Sequence, residues 1–231
     1  MTQDAIATIT LNPALDFATT VDVIEPNEKL RCSDPSMFPG GGGVNVARAI
    51  WNLGGVAQAC VALGGPNGQA LELLLRAEDV DVVPVKLDLR TRHSMTVRET
   101  STGQLLRFML PGTRWTRAIE EEFFESVRER IGRSQWCVLS GSMPPGTDFR
   151  LIERLTTLCL EQSCKLVVDT SGETLRALAQ TAELDVDILR MNGAEAQEST
   201  NQTLIEPVDF ANAARRMIER GAARMIVMGL S

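Results

Sequence analysis

Four consecutive glycines, Gly40 to Gly43, run directly into Val44-Asn45-Val46-Ala47-Arg48-Ala49, an amphipathic helical pattern. Glycine has no Cβ, so its backbone takes positive φ and approaches a ligand closely. The first turn of the helix offers unpaired N–H groups and a partial positive charge, a setting that suits an anion. Asn45 adds a donor and an acceptor at the same spot. These residues point to a site for a polar, anionic small molecule; a plain tight turn before a helix is spelled the same way. Two other phosphate loops fail on their letters. No G-x-x-x-x-G-K-[ST] string occurs, and a G-x-G-x-x-G register begun at Gly40 or Gly41 puts its last glycine on Asn45 or Val46.

The stretch resembles the first signature of the ribokinase-like (PfkB) carbohydrate kinases: a Gly-Gly pair, a nearby Asn and two later glycines, here Gly41, Gly42, Asn45, Gly54 and Gly64. Members that act on fructose 1-phosphate or tagatose 6-phosphate often carry Gly-Gly-Lys-Gly at this loop, and Gly42 stands where that Lys falls. The all-glycine loop is similar to that of the ribokinase-like type of bacterial 6-phosphofructokinase. The resemblance extends from about Ile6 to the last strand. It implies ATP and Mg²⁺ as cofactors, a sugar phosphate as acceptor (fructose 6-phosphate before the other two), and in-line transfer of the γ-phosphoryl group to a hydroxyl. A protein that binds the sugar phosphate without transferring anything is the reading from another class.

Further residues gain roles from the same resemblance. Asp16, after Asn12-Pro13-Ala14-Leu15, is a carboxylate at a strand start, able to accept two hydrogen bonds from sugar hydroxyls or to cap a turn. Lys29, Arg92 and Arg107 lie in or beside a proposed lid, where they match the family's phosphate-binding cations; singly, each reads as a solvated surface charge. Ser140-Gly141-Ser142-Met143-Pro144-Pro145-Gly146 follows a strand, and ligands bind outside the carboxyl ends of strands in open α/β sheets; Ser142 is the substrate contact the resemblance implies. Asn192-Gly193-Ala194-Glu195 fits the family's Asn-x-x-Glu motif, so Asn192 and Glu195 are implied to organise Mg²⁺, its waters and the nucleotide phosphates. A helix cap at Asn192 is the structural alternative. Arg190 and Met191 depart from the Lys and Pro of the phosphofructokinase type, and Asp169-Thr170-Ser171-Gly172-Glu173 resembles a family segment without a firm role.

Composition narrows the partners. The 231 residues are 44% hydrophobic and 23% charged, ordinary for a globular protein. A net charge of −7 disfavours nucleic acid and anionic membrane as partners. The opening Met1-Thr2-Gln3-Asp4 lacks the basic-then-apolar pattern of a signal peptide, and no apolar run is long enough to span a bilayer, so the expected location is the cytoplasm. Five cysteines without a C-x-x-C pair read as buried free thiols. The single histidine, His93, reads as a lid-strand residue.

The elements that must position these residues follow from periodicity. Strands are predicted at Ile6–Leu11, Leu15–Val23, Lys29–Cys32, Ala57–Leu63 and Val80–Val85, with helices at Val44–Leu53, facing inward through Val46, Ala49, Ile50 and Leu53, and at Gln69–Glu78. Ser94–Thr100 and Gln104–Leu110 form a hairpin about Ser101-Thr102-Gly103. From Ile119 onward helices and strands alternate: helices at Ile119–Ile131, Phe149–Glu161, Glu173–Ala179 and near Ala194 and Asp209, strands at Trp136–Ser140, Lys165–Asp169, Asp187–Met191 and Met225–Met228. The pattern specifies an α/β class with a mostly parallel sheet and helices on both faces. The early strands do not fit the alternation and form a small β lid, in segments near 12–34 and 90–110. The resemblance implies the same α/β/α sandwich and a homodimer through the lid.

Family members continue for roughly a further third of their length, into a Gly-Ala-Gly-Asp segment whose Asp is the catalytic base. No such string occurs in the 231 residues. The expectation is therefore a C-terminally truncated ribokinase-like domain spanning 1–231, inactive on its own, with an exposed sheet edge at Met225–Met228.

Overall fold

The computed structural model describes residues 6–184 and 186–230; the Met1–Asp4 stretch and the closing Ser231 lie outside them. The chain begins with β1 (Ile6–Thr10), then β2 (Ala14–Val21), β3 (Ser36–Gly40), α1 (Gly42–Asn52), β4 (Ala57–Leu63), α2 (Gly65–Ala77), β5 (Asp81–Lys86), β6 (Arg92–Glu99) and β7 (Leu105–Met109). It continues through α3 (Arg117–Gly132), β8 (Trp136–Ser140), α4 (Arg150–Glu161), β9 (Lys165–Asp169), α5 (Gly172–Gln180), β10 (Val186–Met191), α6 (Gly193–Thr200), α7 (Pro207–Arg220) and β11 (Ala223–Met228).

Seven strands form one sheet in the order β11-β10-β9-β8-β1-β4-β5, and every pair in it is parallel. The first strand is therefore central. The chain winds outward from β1 through β4 to β5, then returns to β8 and winds the other way. The carboxyl ends of β1 and β8 mark the point where the winding reverses, the place where open α/β sheets hold ligands. Pro84 sits in β5, an edge strand, where its missing N–H costs no ladder bond.

Side chains of β4 alternate between two cores, as strand geometry requires. Ala59, Val61 and Leu63 pack with Val44 and Ala47 of α1 and Leu71 and Leu75 of α2. Cys60 and Ala62 face the larger core with Ile9, Phe123, Val127, Ile152, Leu155, Leu175 and Phe210. Helices thus lie on both faces of the sheet. Toward β11 the α1 side thins out: Met225 is 54% and Val227 46% exposed, the open edge the sequence indicates.

The early strands build a second sheet in the order β3-β2-β6-β7. β2 pairs parallel with β6, while β2–β3 and β6–β7 are antiparallel. The chain leaves the main sheet after β1 and before β6, and rejoins it after β3 and β7. The turn of the β6–β7 hairpin ends on Gly103 at φ 75°.

Three expectations are corrected. No strand forms at Lys29–Cys32; the 22–35 segment is an exposed loop, and the first lid segment reaches Gly40 through β3. Asn27 takes φ 70° in a turn closed by Glu28 N–H to the Glu25 carbonyl, and Ser33 folds back on Thr19 and Thr20. Helix α1 buries Gly43, Val44 and Ala47, whereas Ala49 is exposed and Leu53 is 88% exposed. A Cβ at Gly43 would lie 2.4 Å from the Ile9 carbonyl oxygen, so the glycines draw the start of the helix onto the sheet and rotate its inner face away from Ala49. Finally, four cysteines are buried, but Cys32 is exposed on the loop.

Candidate functional site

Asp16 lies on β2, directly opposite Phe38 of β3 and Ser94 of β6. The Ser94 hydroxyl donates to its Oδ1 at 2.5 Å. Its Oδ2 occupies the space a side chain at residue 40 would take: a Cβ on Gly40 would be 2.1 Å away. Strand alternation puts Arg92, Ser94 and Thr96 on the lid face that carries Asp16, and pairing with Thr96 adds Arg107 to it. Arg107 is exposed, and among the described residues its guanidinium has no hydrogen-bond or ion-pair partner, which leaves it available to an anion. Arg92 is half-buried; its Nε and Nη2 donate to the Asn12 carbonyl at 3.3 Å and its Nη1 to the Leu110 carbonyl at 3.2 Å. Burial pulls its pKa below the ordinary arginine value, and the charge of Asp16 offsets part of that. Lys29 stands on the exposed 22–35 loop, with no bond joining it to the other candidates.

The glycine run links lid to core. Gly41 takes φ 135°, a conformation L side chains rarely adopt, and precedes α1 without any side-chain cap. The first-turn amides of α1 are therefore left for a ligand. Gly42 packs against the loop after β8: a Cβ there would be 2.4 Å from Ser140 Oγ and 2.5 Å from the Gly141 nitrogen. The two loops at the winding reversal touch because both are glycine. Asn45 is exposed in the first turns of α1. Ser142 Oγ accepts from Asn12 Nδ2 at 3.1 Å. Asp16, Gly41, Gly42 and Ser142 thus form one connected group at the lid–core junction, with Arg92 tied to it through Asn12.

The Asn192–Glu195 motif sits elsewhere, at the end of β10. Asn192 accepts from the Glu195 N–H at 2.9 Å, and Glu195 Oε2 accepts from the Asn192 N–H at 2.8 Å. This is a capping box on α6. The structural alternative is therefore realised, and one Glu195 oxygen remains for a metal-bound water. β10 lies two strands from β8, about 10 Å at ordinary strand spacing. Between them, Asp169 at the end of β9 accepts from Ser140 Oγ at 2.9 Å and from Arg190 Nη1 at 3.1 Å. Among the described residues no cluster of three metal-ligating side chains occurs, so a magnesium ion at this end would be held chiefly by water and phosphate oxygens.

Sequence reasoning missed Ser94 and Gly40 as parts of the Asp16 site. Ser94 reaches Asp16 only through the parallel β2–β6 pairing, across 78 residues, and nothing local announces it. Gly40 was legible as the first of four glycines, but not as the one facing the carboxylate.

Fold and site together define a ribokinase-like α/β architecture: a parallel sheet whose ligand-facing loops lie at the winding reversal under a separate β lid. The chain belongs to the pfkB family of carbohydrate kinases, whose model matches residues 9–229. It is 37% identical over 225 residues to the ATP-dependent 6-phosphofructokinase isozyme 2 of Mycobacterium tuberculosis (strain ATCC 25618 / H37Rv), a match covering 97% of this chain and 65% of the relative. It is 36% identical over 228 residues to the protein of the same name from Escherichia coli (strain K12), covering 97% and 72%. The crystal structure of phosphofructokinase-2 from Escherichia coli in complex with fructose-6-phosphate superposes with a TM-score of 0.88 at 34% identity, over 99% of this chain and 75% of that one. The chain spans 65% of the length of the mycobacterial relative.

Proposed function

We propose that these residues form the acceptor half of an ATP-dependent 6-phosphofructokinase, which transfers the γ-phosphoryl group of ATP to fructose 6-phosphate and yields fructose 1,6-bisphosphate. The observation that carries this reading is the Asp16 carboxylate, fixed by Ser94 and bared by Gly40 at the mouth of the glycine loop. The carboxylate and Asn45 suit sugar hydroxyls. The amides of Gly41 and Gly42, the Ser142 hydroxyl and the cations Arg92, Arg107 and Lys29 suit the phosphate. In the reaction the sugar hydroxyl oxygen bonds to the γ-phosphorus, the bond to the β–γ bridging oxygen breaks, and ADP leaves. The hydroxyl proton passes to a base, which the family resemblance puts in a Gly-Ala-Gly-Asp segment, a string these 231 residues do not contain. ATP and Mg²⁺ belong at the β9–β10 end, with Asn192 and Glu195 orienting the metal's waters.

Calorimetric titration with fructose 6-phosphate, fructose 1-phosphate and tagatose 6-phosphate tests the reading. Tightest binding of fructose 6-phosphate supports it. Preference for either other ester moves the assignment to a 1-phosphofructokinase or a tagatose-6-phosphate kinase, a choice the all-glycine loop disfavours. Binding without transfer in a form that carries the Gly-Ala-Gly-Asp segment would establish the non-catalytic alternative.

The lid also serves as the homodimer contact in this reading. On the face opposite Asp16, Phe17, Met37, Met95 and Phe108 share register, and Phe17, Met95 and Phe108, with Cys32 and Pro35 of the loop, border a cavity of about 620 Å³. An apolar face of this kind is matched by a second copy of itself.

A further inference from the structure

The residue that joins lid, hinge and core is Asn12, in the three-residue link between β1 and β2. Its carbonyl accepts two arms of the Arg92 guanidinium, whose third arm grips Leu110 where the chain re-enters the core. Two of the four lid crossings are thereby tied by one side chain. The Asn12 amide points the other way. Its Oδ1 lies against Gly112, where a Cβ would be 2.2 Å distant, so only glycine at 112 admits the amide in this pose. Its Nδ2 then faces Ser142 and donates to Oγ at 3.1 Å.

That polarity has a consequence for the ligand. A hydroxyl has one proton to give. With its oxygen engaged as an acceptor by Asn12, the Ser142 O–H is left to donate into the cleft, toward an acceptor such as a phosphate or hydroxyl oxygen. We propose that Asn12 is a positioning residue for the sugar-phosphate site: it acts through Ser142, fixing that hydroxyl as a donor to the bound ligand. The inference rests on the placement of Ser142 in the acceptor site.

The test is a double-mutant cycle on fructose 6-phosphate affinity, read by calorimetry, with Asn12→Leu and Ser142→Ala alone and together. Leucine nearly matches asparagine in shape, adds no charge, and leaves the backbone carbonyl that Arg92 grips. Each single variant is expected to weaken binding about three- to tenfold, the range for one hydrogen bond. The double variant is expected to bind no more weakly than Ser142→Ala alone. A packing role for Asn12 predicts the opposite, two effects that multiply, and that result overturns the inference while leaving Ser142 in the site. Unchanged affinity in Ser142→Ala removes Ser142 from the site and the inference with it. Asn12→Gln, which keeps the donor on a longer arm, is expected to recover part of the loss; affinity as weak as that of Asn12→Leu also counts against the proposal.

Discussion

Substituting Gly40 by alanine adds one methyl group where the structure has no room for it. The new Cβ would sit 2.1 Å from Asp16 Oδ2 and 2.6 Å from its Cγ, against 3.4 Å for ordinary contact. The carboxylate must retreat by about 1.3 Å. The backbone does not oppose the change, because Gly40 lies in a strand and is not among the glycines with positive φ. The strain therefore falls on Asp16 and on its bond from Ser94. A hydrogen bond to a charged acceptor is worth about 1.5–3 kcal/mol. Loss of one such bond to the sugar weakens fructose 6-phosphate binding by roughly 10- to 150-fold. The lid strands keep their other pairing, so the fold survives with a destabilisation of about 1–3 kcal/mol, the cost of overpacking. Titration calorimetry and thermal melting read the two quantities separately. Gly40→Ala protein that melts normally and binds fructose 6-phosphate as tightly as the parent refutes the placement of Asp16 in the sugar site.

Three further outcomes follow from the same structure. Asn192→Ala removes the cap of α6 and is expected to cost about 1 kcal/mol, a fall of roughly 2–4 °C in melting temperature; an unchanged melting point contradicts the capping role. Glu99 accepts from the Thr102 hydroxyl and from the Ile24 N–H at 2.7 Å, and these bonds hold its carboxyl below the usual glutamate range. A depressed folded-state pKa adds stability that is complete above the unfolded value and is lost as pH falls through the folded one. Melting curves from pH 6 to below pH 4 should thus be less acid-sensitive in Glu99→Gln than in the parent, and parallel curves would count against the bonds. Burial pushes the Cys60 thiol up to about 12, contact with Cys137 and burial raise that of Cys159, and contact with Cys159 and burial raise that of Cys164, while Cys32 is exposed. A thiol reagent at pH 8 should label one cysteine in the native protein and five after denaturation; fast labelling of a second contradicts the packing.

Much of the architecture was legible because it rests on local periodicity. Ala57–Leu63, Trp136–Ser140 and Lys165–Asp169 occupy the positions their apolar runs predict. The failures have physical causes. The short Lys29-Leu30-Arg31-Cys32 run looks strand-like, but Pro26 and Pro35 on either side remove ladder donors, and Ser33 provides a competing partner for β2. The inner face of α1 was misread because hydrophobicity pointed to Leu53, whereas three small residues let the other end of the helix approach the sheet. Asp16, the glycine loop and Ser142 could be named from sequence and lie together. What holds them in place, namely Ser94, Gly112 and the Asn12–Arg92 link, depends on pairing between distant segments and has no local signal.

The most direct test of the central claim is a crystal structure of the protein with fructose 6-phosphate bound. The account predicts sugar hydroxyls on Asp16 and Asn45, and the phosphate within hydrogen-bond reach of Ser142, Arg92 or Arg107. A sugar phosphate seated away from Asp16, at the β9–β10 end or on the apolar face of the lid, would contradict it.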